Sequence, residues 1–264
     1  MALVALAAGG ASATAAGTLP TFAVTMTGSS ISVPSTVPAG AVNVVSTVSG
    51  EAAGSPTLVR LQPGVTPAQA FDAVQSHGGD PNALQGLASV VFNVQANKGT
   101  SSAQTLLTPG NWVALDTTKN NPNKWPFTTF TVTANAAAAS LPTPGATVEA
   151  QEFRFVAPSR LHNGELVRFE NGGYLVHMVI GLPVKNMASA KTVVALLRAG
   201  KDNKATKLII GPPPGWVGTF SPGGVVQQTI SAKPGVYVIA CFMDTQDHRE
   251  HTQLGMEKII RITK

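Results

Sequence analysis

The sequence predicts an all-β fold of two tandem Greek-key β-sandwiches, each interrupted by one short helical insertion. Three observations predict it. Charged residues make up only 12% of the chain against 26 glycines and 19 prolines, and Val and Thr recur in short runs bounded by those breakers. At 264 residues the chain exceeds one ordinary domain. The same order of elements also appears on either side of a small, uncharged, proline-punctuated stretch from Ala134 to Thr147. The expected division is a domain over 18–134, a linker over 135–147 and a second domain over 148–264.

In the first half, Pro56 to Leu61 reads as a strand, and Thr66-Pro67 then opens a short helix through Val74. In the second half, His177 to Leu182 is the strand, Asn186 the N-cap, and Met187 to Ala199 a helix closed by Gly200. Pro109-Gly110 and Pro234-Gly235 each feed a further strand, ending near Asp116 and Cys241. Each half closes on a β-rich segment, Phe127 to Thr133 and Lys258 to Thr263. The repeat aligns Pro56 with His177 and Asp116 with Cys241, which makes it a duplication diverged at one end.

Residues 1–17 form an apolar run passing into small residues suited to signal-peptidase cleavage, so they read as a signal-peptide remnant. The expected location is secreted, periplasmic or cell-surface. The run is too short to span a bilayer. A lone cysteine in an oxidising compartment is a buried thiol, an intermolecular bridge or a metal thiolate.

Net charge is +5, all of it from the second half: residues 1–134 carry Arg60, Lys98, Lys119 and Lys124 against four acids, and the remainder fourteen basic residues against nine acids. No basic-aromatic cluster accompanies this, so nucleic acid is not an expected partner.

Side chains alternate along the strand after Pro234-Gly235, which puts Tyr237, Ile239 and Cys241 on one face and Val236, Val238 and Ala240 on the other. Past Cys241 a polar loop carries His248 and His251 and returns to Met256. A thiolate and two imidazoles with a weak thioether suit copper, because soft sulfur stabilises Cu(I) and imidazole nitrogen tolerates Cu(II). His248 and His251 compete for one imidazole position in this reading. Met243 reads as loop packing, and His77 and His162 as surface residues.

At these residues the chain resembles the cupredoxins, the blue-copper family of plastocyanin, azurin and the copper domain of nitrite reductase. The resemblance implies one mononuclear copper held by His177, Cys241, His251 and Met256. It favours His251 over His248 because His251 to Met256 spells His-x-x-x-Gly-Met. Two features depart from the family pattern: Met178 follows the first histidine where Asn is usual, and nine residues separate Cys241 from His251. The first half offers Pro56 and Asp116 at the ligand positions and is expected to bind no copper.

The chain has five histidines and no His-x-His pair, which argues against an oxygen-reducing copper cluster. No paired carboxylates, phosphate loop or nucleophile elbow suggests another enzyme. Three readings remain: an electron carrier, a copper chaperone or reservoir, and a metal-free interaction scaffold. The carrier reading expects His251 at a docking surface beside Leu254 and Phe242, facing an acidic redox partner.

Overall fold

A computed structural model describes residues 18–119 and 121–264, so the expected signal segment lies outside the described residues. The first half contains β1 (Thr21–Thr27), β2 (Ser30–Ser32), β3 (Thr36–Pro38), β4 (Gly40–Gly54), β5 (Pro56–Leu61), α1 (Pro67–Ser76), β6 (Ala88–Asn93), β7 (Ala96–Leu107), β8 (Gly110–Asp116) and β9 (Phe127–Thr133). The second contains β10 (Ala146–Gln151), β11 (Arg154–Val156), β12 (Arg160–His162), β13 (Leu166–Asn171), β14 (His177–Val184), α2 (Met187–Arg198), α3 (Asp202–Thr206), β15 (Gly215–Phe220), β16 (Val225–Thr229), β17 (Gly235–Ala240) and β18 (Glu257–Thr263). The fold is all-β.

Each half is a two-sheet sandwich with the same strand order. One sheet runs β3-β9-β8-β5-β6 in the first half and β12-β18-β17-β14-β15 in the second. Facing them are β2-β1-β4-β7 and β11-β10-β13-β16. Even the parallel pairs repeat: β1 with β4 matches β10 with β13, and β3 with β9 matches β12 with β18. The duplication read from the sequence is therefore present strand by strand.

The two halves share a sheet. Equivalent edge strands β7 and β16 pair antiparallel through Thr105↔Val226 and Gln104↔Gln227, which fuses the four-stranded sheets into one of eight strands. The Thr105 hydroxyl donates to the Val225 carbonyl at 2.7 Å, and the Gln227 amide donates to Gln104 Oε1 at 3.2 Å and to the Pro142 carbonyl at 3.0 Å. The two halves are thus joined through a sheet as well as through the stretch expected as a linker. Edge-to-edge pairing satisfies backbone groups that two open sheet edges would otherwise expose. The 135–145 stretch is itself tied down, Ala41 N donating to Ala139 O at 2.8 Å.

Local signals explain the insertions. Thr66 and Gln69 form a capping box at the start of α1, and Asn186 Oδ1 accepts from Ser189 N at 2.9 Å to start α2. Gly200 follows α2 with φ +63, the left-handed turn that glycine allows. Both faces of β17 are buried. Tyr237 and Ile239, with Cys241 just beyond the strand, belong to the core between the sheets; Val236, Val238 and Ala240 pack beneath α2 and α3. That alternation brings Cys241 to the inner end of the second sandwich.

Candidate metal centre

His177 begins β14, Cys241 follows β17, and His251 begins a 3-10 turn, His251–Leu254, inside what the sequence reads as a plain polar loop. The turn ends on Gly255 at φ +101. Three backbone bonds fix the loop: His251 N to Met243 O at 2.8 Å, Met256 N to His251 O at 3.0 Å and Cys241 N to Met256 O at 3.2 Å. Cys241, His251 and Met256 are thus linked through the main chain.

Among the described residues, His177, Cys241 and His251 form a buried group able to hold a metal ion. The two Nδ1 atoms lie 3.2 Å apart, and Cys241 Sγ is 3.8 Å from His177 Nδ1 and 3.4 Å from His251 Nδ1. Three donors around one ion, with bonds of roughly 2.0 Å to nitrogen and 2.3 Å to sulfur, would stand about 3.5 Å apart between nitrogens and about 3.7 Å between sulfur and nitrogen in a trigonal plane. The donors fit that spacing. Met256 is fully buried beside them.

A further donor approaches the sulfur, since Met178 N–H points at Cys241 Sγ across 3.4 Å. Sulfur accepts longer, weaker bonds than oxygen, and an N–H donor favours its thiolate form. Burial nevertheless pushes the Cys241 thiol up to about 12, with the backbone amides of Met243 and Met178 pulling the other way. Burial lowers His177 to about 4, helped by the charge of His251 and opposed by Glu152. It also lowers His251, against Asp244 and Glu152. Both rings are therefore neutral near pH 7, as ligation requires, and the thiol is the group that must lose a proton.

The other candidates lie apart. His77, His162 and His248 are exposed, and His248 sits in the loop at φ +58. Met243 is buried packing whose carbonyl receives His251 N. One expectation is overturned: His251 has no exposed edge at a docking surface, being 0% accessible. Phe153 closes over it, ring centroids 5.2 Å apart and edge-on. Phe242 turns instead toward the cluster beneath α2.

In the first half, Asp116 Oδ1 accepts from Ser55 N at 2.9 Å and Thr118 N at 3.0 Å, a carboxylate satisfied by donors. Asp116 pairs with Pro56, whereas Ala240, the residue before Cys241, pairs with Ile180. Continuing that register faces Cys241 to Val179, so the ladder sets Gly54 at the place of His177 and corrects the Pro56 alignment by two residues. Gly54 offers no ligand either. Sequence reasoning missed Glu152, Phe153 and the Met178 N–H, all brought to the site by long-range contacts.

No family model matches the sequence, and no curated protein matches it. Among solved structures, auracyanin B is similar at 18% identity and TM-score 0.29, over 47% of this chain and 93% of its own. Auracyanin from Roseiflexus castenholzii shows 18% identity and TM-score 0.26, over 45% and 95%. A Cu-containing nitrite reductase from Thermus scotoductus SA-01 spans 94% of this chain and 69% of its own at 12% identity and TM-score 0.27. At those scores the likenesses carry no argument about this chain, and the cupredoxin-like reading rests on its own strand order and on the convergence of His177, Cys241 and His251.

Proposed function

We propose that this chain is an exported electron carrier that binds one copper ion through His177 Nδ1, Cys241 Sγ and His251 Nδ1, with the Met256 thioether as a weak fourth ligand. The observation that carries the reading is the spacing of the three donor atoms, 3.2, 3.4 and 3.8 Å, inside a fully buried pocket. A soft thiolate with two imidazoles suits a one-electron Cu(I)/Cu(II) couple, which is the chemistry copper would supply there. The residues do the rest. Backbone bonds among Met243, Cys241, His251 and Met256 tie three of the four donors together, which would limit their rearrangement between the two redox states.

Burial of both histidines weighs against a chaperone or reservoir, because a donor protein must present its ion for transfer; without an exposed His251 edge, a carrier would exchange electrons through the protein that covers the site. It also sets the reading apart from a metal-free scaffold, which gains nothing from three converging ligand atoms. An acidic partner has a matching surface. Lys185, Lys191, Arg198, Lys201, Lys204 and Lys207 are all exposed on or beside α2 and α3, and α2 packs against the 3-10 turn that bears His251. The carrier reading assigns no catalytic step to the chain.

Metal analysis of protein purified without added copper, with a visible spectrum, tests the proposal. One copper per chain and an intense thiolate-to-copper band are expected. Absence of the band after stoichiometric loading with Cu(II) would refute it.

A further inference from the structure

The turn between β10 and β11 covers both imidazoles. Its residues Glu152 and Phe153 belong to no ligand set, yet each meets one histidine. Glu152 Oε1 accepts from Tyr174 N at 2.5 Å and from Leu175 N at 3.1 Å, and it lies 3.6 Å from His177 Nε2. That Nε2 is buried and has no hydrogen-bond partner. The carboxylate has room because residue 173 is glycine: a Cβ there would stand 2.2 Å from Glu152 Oε1. Gly172 makes the matching space for Glu149, its Cβ position being 2.1 Å from Glu149 Oε1. Gly173 therefore leaves the space that the Glu152 carboxylate occupies, and Gly172 does the same for Glu149 of β10.

Phe153 is held at φ +59, a left-handed conformation that bulky residues rarely adopt. Its ring stands edge-on to His251, at an interplanar angle of 78°, and His251 is wholly shielded from solvent. Backbone strain of this kind persists where surrounding contacts over-determine it, and here the strained residue is the one that covers a ligand.

We infer that the β10–β11 turn is a built cap on the metal centre, in which Glu152 is a positioning residue for His177 through Nε2 and Phe153 seals His251 from solvent. The inference rests on the copper reading and adds a division of labour to it. The Glu152 charge beside His177 favours Cu(II) over Cu(I). The Phe153 ring controls how fast the ion can leave and how closely a reagent can approach His251.

Two substitutions in the full chain test the cap. Phe153→Gly removes the ring at a position where glycine adopts φ +59 freely, so melting temperature is expected to hold. In metal-free protein, modification of His251 by diethylpyrocarbonate, resolved by mass spectrometry, should become at least tenfold faster. In copper-loaded protein, transfer of reduced copper to a chelator should accelerate by a similar factor. Glu152→Gln keeps an acceptor for Tyr174 N and Leu175 N but removes the charge. It should strengthen the preference for Cu(I) over Cu(II) about tenfold, which is a rise in potential of ~59 mV for one electron. Modification and transfer rates within twofold of wild type, together with an unmoved potential, would overturn the cap. If wild type takes up no copper, the copper reading falls, while the diethylpyrocarbonate rates still decide whether Phe153 seals His251.

Discussion

The backbone N–H of Met178 donates to the sulfur of Cys241 across 3.4 Å, joining the start of β14 to the end of β17. The family pattern places Asn at position 178, and a methionine there looks like a loss of rigidity. The tie to sulfur comes from the main chain, however, and no side-chain replacement other than proline removes a backbone donor. Met178→Ala should therefore leave the copper–thiolate band in place, whereas Cys241→Ser should abolish it, because the chain has one thiol. A band that survives in Cys241→Ser, read by visible spectroscopy on Cu(II)-loaded protein, would break the ligand assignment.

Stability of the metal-free protein should depend on pH at both ends of the neutral range. His177 is lowered from 6.5 to about 4, so the unfolded chain takes up its proton first as pH falls. Stability is then lost between about pH 6.5 and 4, by up to roughly 3 kcal/mol at ~1.4 kcal/mol per unit. Cys241 is raised from 9.0 to about 12, so the unfolded chain releases its proton first and stability declines as pH rises above 9. Melting temperature against pH should show a plateau between these limbs, and Cys241→Ala should flatten the alkaline one. Copper binding must displace the thiol proton, so affinity should rise about tenfold per pH unit through the plateau.

The shared sheet predicts that the two sandwiches unfold together. Gln227 is fully buried at the junction, donating to Gln104 and the Pro142 carbonyl and accepting from Arg168 Nε at 2.6 Å. Gln227→Ala leaves these partners unpaired and should cost about 1–3 kcal/mol. At a second contact between the halves, where β15 meets β6, a Cβ at Gly218 would stand 2.2 Å from Asn93 Oδ1. Asn93 cannot swing away freely, since its amide donates to Thr57 Oγ1 at 3.0 Å. Gly218→Ala should lower the melting temperature of the whole chain. Calorimetry resolving two well-separated transitions in the wild type would contradict the coupling.

The legible parts of this molecule were those encoded by short-range patterns. Alternation along β17 and Thr66 and Asn186 as helix caps act within one element, and each appears in the structure where the pattern put it. The missed features are long-range. Glu152 reaches the site only because Tyr174 and Leu175, more than twenty residues on, donate to it. Burial of His251 depends on Phe153 from another strand pair. Pairing of β7 with β16 follows from the relation between the halves, which no local period records. The helix α3 escaped because five residues carry too little amphipathic pattern.

Charge decides the last prediction, because the local and overall charges near the site differ. The loop and cap carry Glu152, Asp244, Asp247 and Glu250 against Arg154 and Arg249, and Arg249 is already paired with Asp247 at 2.8 Å. The basic excess stands instead on α2 and α3, where Arg198 is partly committed to the buried Glu257 and the lysines are exposed. An acidic partner should be steered to the helical face and reach the copper from its side. Salt screens such attraction beyond roughly 8 Å at about 0.15 M. The rate of electron exchange with an anionic reagent should thus fall as salt is added, and the rate with a cationic reagent should not. Reversing Lys201, Lys204 and Lys207 to Glu should remove most of that salt dependence while leaving the visible band and the melting temperature unchanged, because none of the three touches the donor set. Stopped-flow rates at several ionic strengths measure this directly. If the triple reversal leaves the salt dependence intact, steering does not run through α3.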